Sequence, residues 1–377
     1  MVERYYRNGS IHWVKTLDLN DSEIINTNEL VTNWAIEETS LRPYPVGTVL
    51  VAMYGGYNQI GRTGLLKISA AVNQAITAIQ PQKNILLPEY LLATLNYKVE
   101  YWKSVASSSR KDPNITSQDV RAFPIGYPAL PEQRAIATAL SDVDALLTAQ
   151  DKLIAKKRDI KQATMQQLLT GKQRLPGFSG EWEVKRLGDV GAFIKGSGVK
   201  KDEAQSGSLP CIRYGEIYTH HSNYIKQFNS WISTEVAATA TRLKQGDVIF
   251  AGSGETKEEI GKCVAFVNSC EAYAGGDTVI LRLMGTNPMF MGYYCNTAPI
   301  VAQKASKGQG DAVVHISATA LSSIVIHLPS EDEQTAIAIV LSDMDAELAA
   351  LEQQRDKTRA IKQGMMQELL TGRIRLV

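Results

Sequence analysis

LPEQRAIATALSDVDALLTAQDKLIAKKRDIKQATMQQLLTGKQRL, residues 130–175, returns near the end of the chain as SEDEQTAIAIVLSDMDAELAALEQQRDKTRAIKQGMMQELLTGRIRL, residues 330–376. From Glu132 and Glu333 onward the two copies align without a gap at a constant offset of 201, and 25 of 44 aligned positions are identical. Neither Pro nor Gly occurs between Glu132 and Thr170. Apolar residues recur three and four apart: Ile136, Leu140, Val143 and Leu147 in the first copy, Ile337, Leu341, Met344 and Leu348 in the second. That period predicts a helix with one apolar stripe. Both copies stop at Leu-Leu-Thr-Gly, where Gly171 and Gly372 are candidate C-caps. A helix of about 40 residues is about 60 Å long, which suits a coiled-coil-like spacer. The obvious partner of each stripe is the other copy. Lys157, Lys161, Arg355 and Lys362 fall on the seam midway, so looser packing is expected there.

The duplication extends beyond the helices. Gly9–Lys15 matches Gly207–Arg213, Pro45–Leu50 matches Lys244–Ile249, and Pro88-Glu89-Tyr90 with Asn96 matches Pro288-Met289-Phe290 with Asn296. The chain is therefore two copies of a globular region followed by a long helix. The expected divisions are 1–129, a first globular domain short at its N-terminus; 130–175, a first spacer helix; 176–329, a second globular domain; and 330–377, a second spacer helix. Gly47–Met53, Ala70–Ile79, Gly246–Ala251 and Thr278–Leu283 read as strands. Pro88–Lys103 and Pro288–Gln303 read as helices opened by Pro. A short strand is expected to lead into each long helix. Pro176–Ser206 has no counterpart before Arg7, so roughly the first 30 residues of the first domain are expected to be absent.

Composition narrows the function. The 377 residues carry a formal charge of +1, so any basic surface must be local. The four cysteines lie in the second half with no CxxC pair and read as reduced, packed thiols. No signal peptide or 18-residue apolar run is present, so a cytoplasmic protein without a membrane span is expected.

Catalytic patterns are missing. Gly252-Ser253-Gly254-Glu255-Thr256-Lys257 has the wrong spacing for a phosphate loop and reads as a surface hairpin. His220-His221 has no spaced third metal ligand and reads as a solvated turn. Asp142 with Asp144, and Asp343 with Asp345, stand two apart on a helix and cannot share one substrate; a solvated face is the expectation. Neither a catalytic set nor a metal site is expected.

What remains suits binding. Arg110, Lys111, Lys304 and Lys307 read as loop cations, the residue type that contacts phosphates. Lys15, Gln59, Arg62, Asn73, Gln74, Arg213 and Gln309 could reach base edges, Gln and Asn suiting adenine and Arg suiting guanine. For any one of them a solvated loop position is the competing reading; the set and its duplication carry the case.

Leu130-Pro131-Glu132-Gln133, Leu140-Ser141-Asp142-Val143-Asp144, Ile160-Lys161-Gln162 and Leu168-Leu169-Thr170-Gly171, their copies, and Trp182-Glu183-Val184-Lys185-Arg186-Leu187-Gly188-Asp189 together make the chain resemble the specificity (S) subunit of type I restriction–modification systems. The resemblance covers essentially the whole chain. It implies an α+β protein: two α/β target recognition domains joined by two long antiparallel coiled-coil helices with an internal pseudo-twofold repeat. Each domain would read one half of a split site in double-stranded DNA, and the helices would set the gap. It implies two modification (M) subunits as partners, holding S-adenosylmethionine, and restriction (R) subunits using ATP and Mg, with no cofactor on this chain. A coiled-coil scaffold or adapter presenting two binding domains to protein or carbohydrate is the alternative, and DNA site selection separates the two.

Overall fold

The computed structural model describes residues 3–56, 58–106, 114–310 and 313–376. The chain forms two compact units: Met1–Lys152 with Glu352–Val377, and Leu153–Leu351. Each long helix therefore gives one half to each unit.

In the first unit the strands are β1 (Ile11–Val14), β2 (Ser22–Ile24), β3 (Glu29–Val31), β4 (Pro43–Tyr44), β5 (Val49–Ala52), β6 (Thr63–Leu66), β7 (Ala70–Val72) and β8 (Ile76–Ile79). They form two four-stranded sheets ordered β3-β1-β7-β4 and β2-β6-β5-β8. Every residue of β5 is buried, so it reads as a continuous apolar run rather than an alternating one. The stretch expected as one strand over 70–79 is two. The Asn73 side chain accepts from the Ala75 amide at 3.2 Å, and this turn sends β7 and β8 into different sheets. The helices are α1 (Asn33–Glu38), α2 (Pro88–Tyr97), α3 (Val99–Val105), α4 (Ser117–Arg121) and the long α5 (Leu130–Leu168). The helix expected over 88–103 breaks at Lys98, beside Asn96, whose side chain is bonded to Thr63 and to the Asp21 carbonyl.

The second unit repeats this plan. Its strands are β9 (Glu183–Arg186), β10 (Gly191–Lys195), β11 (Leu209–Ile212), β12 (Ser230–Ile232), β13 (Thr241–Arg242), β14 (Asp247–Ala251), β15 (Ser253–Gly254), β16 (Cys263–Ala265), β17 (Tyr273–Ala274), β18 (Thr278–Leu283), β19 (Val314–His315) and β20 (Val325–Leu328). Its helices are α6 (Tyr214–Thr219), α7 (Thr234–Ala237), α8 (Pro288–Tyr294), α9 (Ala298–Lys307), α10 (Ala318–Ser322) and the long α11 (Glu331–Leu370). The sheet β12-β11-β17-β13 copies β3-β1-β7-β4 strand for strand. The sheet β10-β18-β14-β16 copies β8-β5-β6 and adds β10. Here the predicted 288–303 helix breaks at Asn296, which bonds both the Cys263 amide and its carbonyl, and Pro299 opens α9.

The expected strand before each long helix exists only in the second unit. There β20 pairs antiparallel with β9. Residues 123–129 form no strand, because β9 belongs to the segment with no counterpart in the first unit. The surface hairpin expected over Gly252–Lys257 holds in part: β14 and β16 pair antiparallel on either side of it and Glu255–Lys257 are exposed, but Ser253 and Gly254 are buried in β15, which pairs with β19. The His220-His221 reading is half corrected, since His221 is buried and desolvation lowers its pKa. Cys211, Cys263 and Cys295 are buried free thiols and Cys270 is exposed. No described helix is long and apolar enough to cross a membrane.

One cross-helix ion pair recurs with the repeat, once in each unit: Asp144 with Lys362, and its copy Asp345 with Lys161. In the first unit Asp144 faces Lys362, Asp151 faces Arg355, and Gln150 donates to Thr358. In the second, Lys157 faces Glu347 and Lys161 faces Asp345. Partner numbers fall as residue numbers rise, so the helices run antiparallel. The mid-seam cations are thus cross-helix ion pairs rather than loose ends. Asp345 is no solvated carboxylate either, because it also accepts from the Tyr293 hydroxyl. Ile136 and Leu140 are buried in one cluster with Tyr90, Leu369 and Leu370, and Ile337 and Leu341 share another with Leu168, Leu169 and Phe290. Val143, Leu147 and Met344 are half-buried, and Leu348 is buried.

The opening Glu-Gln of each copy does the joining. Glu132 is clasped by Arg375 in the first unit and Glu333 by Arg174 in the second, each through two guanidinium nitrogens. The hydrogen bonds from Arg375 lower the pKa of the Glu132 carboxyl. Gln133 accepts from the Leu87 amide and donates to the Ile85 and Pro128 carbonyls. Gln334 accepts from the Asn287 amide and donates to the Pro329 carbonyl. One glutamine per unit therefore ties the helix start to the loop ahead of α2 or α8.

Candidate nucleic-acid interface

A cavity of about 310 Å³ opens in the second unit where β10, β15, β19 and the end of α9 meet. Backbone bonds fix its floor: the Gly252 amide donates to the Asp277 carbonyl at 2.7 Å, and the Ile316 amide to the Gly252 carbonyl at 2.9 Å. Lys307 and Gln309 line it, together with Lys195, Ser253, His315 and Asp277. Ser253 Oγ lies 2.9 Å from His315 Nδ1, and Gln309 and His315 exchange two backbone hydrogen bonds. Two lysines and an amide on one rim can hold a phosphate and probe a base edge.

The first unit has its own cavity, of about 400 Å³. Asn73 and Gln74 line it with Arg42, Tyr5, Tyr6 and Trp13. Lys15 Nζ stands 5.6 Å from the Trp13 ring and also pairs with Glu29. Gln59 and Arg62 sit apart, on the turn after β5, where Arg62 Nε donates to the Asn58 carbonyl at 3.0 Å.

Two expectations change. Lys304 is not on a loop. It lies inside α9, 1% exposed, with Nζ donating to the Gly261 carbonyl at 2.6 Å and standing 6.0 Å from the Phe250 ring. Desolvation lowers its pKa. It is an internal strut and cannot reach a phosphate. Arg213 is engaged with the buried Glu216, Nε to Oε1 at 3.1 Å, which itself accepts from Ser230. Arg110 and Lys111 lie outside the described residues. Sequence reasoning missed Lys195, Ser253 and His315 in the second unit's cavity and Arg42, Tyr5, Tyr6 and Trp13 in the first unit's, which no spacing marks; only the fold gathers each set.

A consequence separates the two α9 lysines. Lys307→Ala should lower the slope of log affinity for DNA against log salt by about one unit, the value for one lost phosphate contact. Lys304→Met should leave the slope unchanged, since a buried ammonium releases no counterion. Equal slopes for the two variants would exclude Lys307 as a phosphate contact.

Residues 3–156 and 179–359 match the family described as type I restriction modification DNA specificity domain. The type I restriction enzyme MjaIX specificity subunit of Methanocaldococcus jannaschii is 26% identical over 276 residues, covering 67% of this chain and 62% of that protein. This chain thus aligns with less than two thirds of that relative's length. The putative type I restriction enzyme MjaX specificity subunit of the same organism is 24% identical over 353 residues, 88% of this chain and 79% of that protein. Among solved structures, the S subunit of a type I restriction–modification system from M. genitalium superposes with a TM-score of 0.60 at 14% identity, covering 98% of this chain and 91% of that one. A chain from work on complex assembly and conformational transition of the type I R-M system gives 0.58 at 17% identity, over 97% and 92%. At these identities the superpositions show the shared fold. The two family matches take in well over half of the residues, and with the duplicated units and paired helices already described they place the chain in the type I restriction–modification DNA specificity family.

Proposed function

We propose that this chain is the DNA-reading subunit of a type I restriction–modification complex and does no chemistry itself. The observation that carries the reading is the duplication. Two units of related topology, each with its own cavity, are built on halves of two closely similar helices. Such a molecule suits a bipartite target: the variable globular parts read one half-site each, and the constant helices set the gap. Outward-facing helix residues such as Leu146, Leu153, Ile339 and Ile361 are exposed and apolar, as a surface for two modification subunits would be. Those subunits would hold S-adenosylmethionine, and restriction subunits would use ATP and Mg in the cytoplasm.

The test is selection of bound DNA from a random pool by this chain assembled with modification subunits. The expected product is two short half-sites at a fixed gap. The chain by itself should transfer no methyl group. Absence of any DNA preference, or methyl transfer by the isolated chain, would overturn the proposal.

A further inference from the structure

Three polar residues stand in a row across the second unit's cavity. Ser253 of β15 is the register partner of His315 in β19, and Gln309 pairs with His315 from the other side. Directly opposite residues of antiparallel strands send their side chains to the same face, with Cβ atoms about 4.5–5.5 Å apart. Gln309 and His315 exchange both main-chain bonds, at 2.9 and 2.8 Å. The Ile316 amide bonds the Gly252 carbonyl, which makes Ser253 with His315 the closer kind of pair, the one without its own main-chain bonds. All three residues line the cavity, with Lys195 and Lys307.

The row is fixed at one end and open at the other. Ser253 is 2% exposed, and its Oγ lies 2.9 Å from His315 Nδ1. Nothing else among the described residues takes the Ser253 hydroxyl proton. A buried donor without an acceptor is costly, so the hydroxyl donates to Nδ1 and the imidazole keeps its own proton on Nε2. Gln309 and His315 are both exposed, and the Gln309 side-chain amide has no partner among the described residues. The open end thus offers the donor and acceptor of one amide, with the N–H of an imidazole beside them. In the major groove an A·T pair presents the complement: N7 acceptor and N6 donor on adenine, O4 acceptor on thymine. Guanine puts a second acceptor, O6, where adenine has N6, and it would face the amide carbonyl.

We propose, on the DNA-reading role set out above, that the Ser253–His315–Gln309 row reads one A·T base pair in the half-site of the second unit. The Gln309 amide donates to adenine N7 and accepts from N6. His315 Nε2 donates to thymine O4. Ser253 is a positioning residue that holds the imidazole in the tautomer this needs. The row bonds no phosphate, which separates it from Lys307.

The experiment is site selection from a random pool by this chain assembled with modification subunits, followed by titration of the selected site. Gln309→Ala should lose discrimination of about tenfold or more at one adenine of one half-site, and keep every other position and the salt slope. Gln309→Glu should move that position from adenine to cytosine, whose N4 amino group donates to a carboxylate while the partner guanine's O6 replaces thymine O4. Placing 7-deazaadenine there, which lacks the N7 acceptor, should weaken the unaltered assembly but not the Gln309→Ala assembly. Imidazole nitrogen shifts of His315 should report the Nε2–H tautomer, and a mixture of tautomers in Ser253→Ala. An unchanged preference at every position in Gln309→Ala overturns the proposal while the DNA-reading role stands. So does a uniform loss with a lowered salt slope, which would make Gln309 a phosphate contact. An unaltered assembly that selects no site at all overturns the role and the row together.

Discussion

Adding four residues to both long helices, after Lys152 and after Gln353, is expected to lengthen the gap between selected half-sites by about one to two base pairs and leave the half-sites unchanged. Four residues add about 6 Å of helix, and a base-pair step is about 3.4 Å. Four is also close to one helical turn, so the apolar stripe returns nearly in phase. The insertions must be matched because the helices are locked by numbered pairs. Asp144 with Lys362 and Asp151 with Arg355 lie on one side of the insertion, and Lys161 with Asp345 and Lys157 with Glu347 on the other. Lengthening one helix alone would slide one set by a full turn past its partners. Selection from a random pool reads the gap directly. A folded, DNA-binding variant whose preferred gap does not move would refute the spacer role of the helices.

The second large effect is on stability. Leu341→Ala should destabilise the second unit by about 2–5 kcal/mol, whereas Ile339→Ala, two residues away, should change it by less than about 0.5 kcal/mol. Leu341 is fully buried in the cluster that holds Leu168, Leu169, Phe290 and Tyr293, so truncation leaves a cavity where α5, α8 and α11 meet. Ile339 is exposed on the outer face of the same helix. Denaturant melts of the two variants, with hydrogen exchange at β14 to identify the unit, give the comparison. Equal losses would mean that the stripe at 341 is not the packed face.

Much of this architecture was legible from residue order. Helix extent follows from local rules: no Pro or Gly interrupts 132–170, and the observed α5 and α11 run Leu130–Leu168 and Glu331–Leu370. The caps Gly171 and Gly372 adopt φ of +69° and +74°, the left-handed region that glycine enters without a Cβ clash. Thr278–Leu283 was read to the residue because a buried central strand is a continuous apolar run. Repetition at a fixed offset told that the molecule is one unit used twice.

Other features depended on partners distant in sequence. Lys304 looks like any loop cation in a Lys-Ala-Ser-Lys stretch; only Gly261 and Phe250, brought beneath it by the fold, bury it. Whether the residues before a long helix form a strand depends on a second strand to pair with, so 325–328 is one and 123–129 is not. The Glu-Gln that opens each helix is visible as a repeat, but its meaning lies in Arg375 and Arg174 at the far end of the other copy and in loop amides more than 40 positions away. Period and capping act within a few residues and are written in the chain by itself. Burial of a charge, strand pairing and the convergence of Lys195, Ser253 and His315 with Lys307 on one rim are settled by contacts between segments far apart in sequence, and the tertiary structure alone decides them.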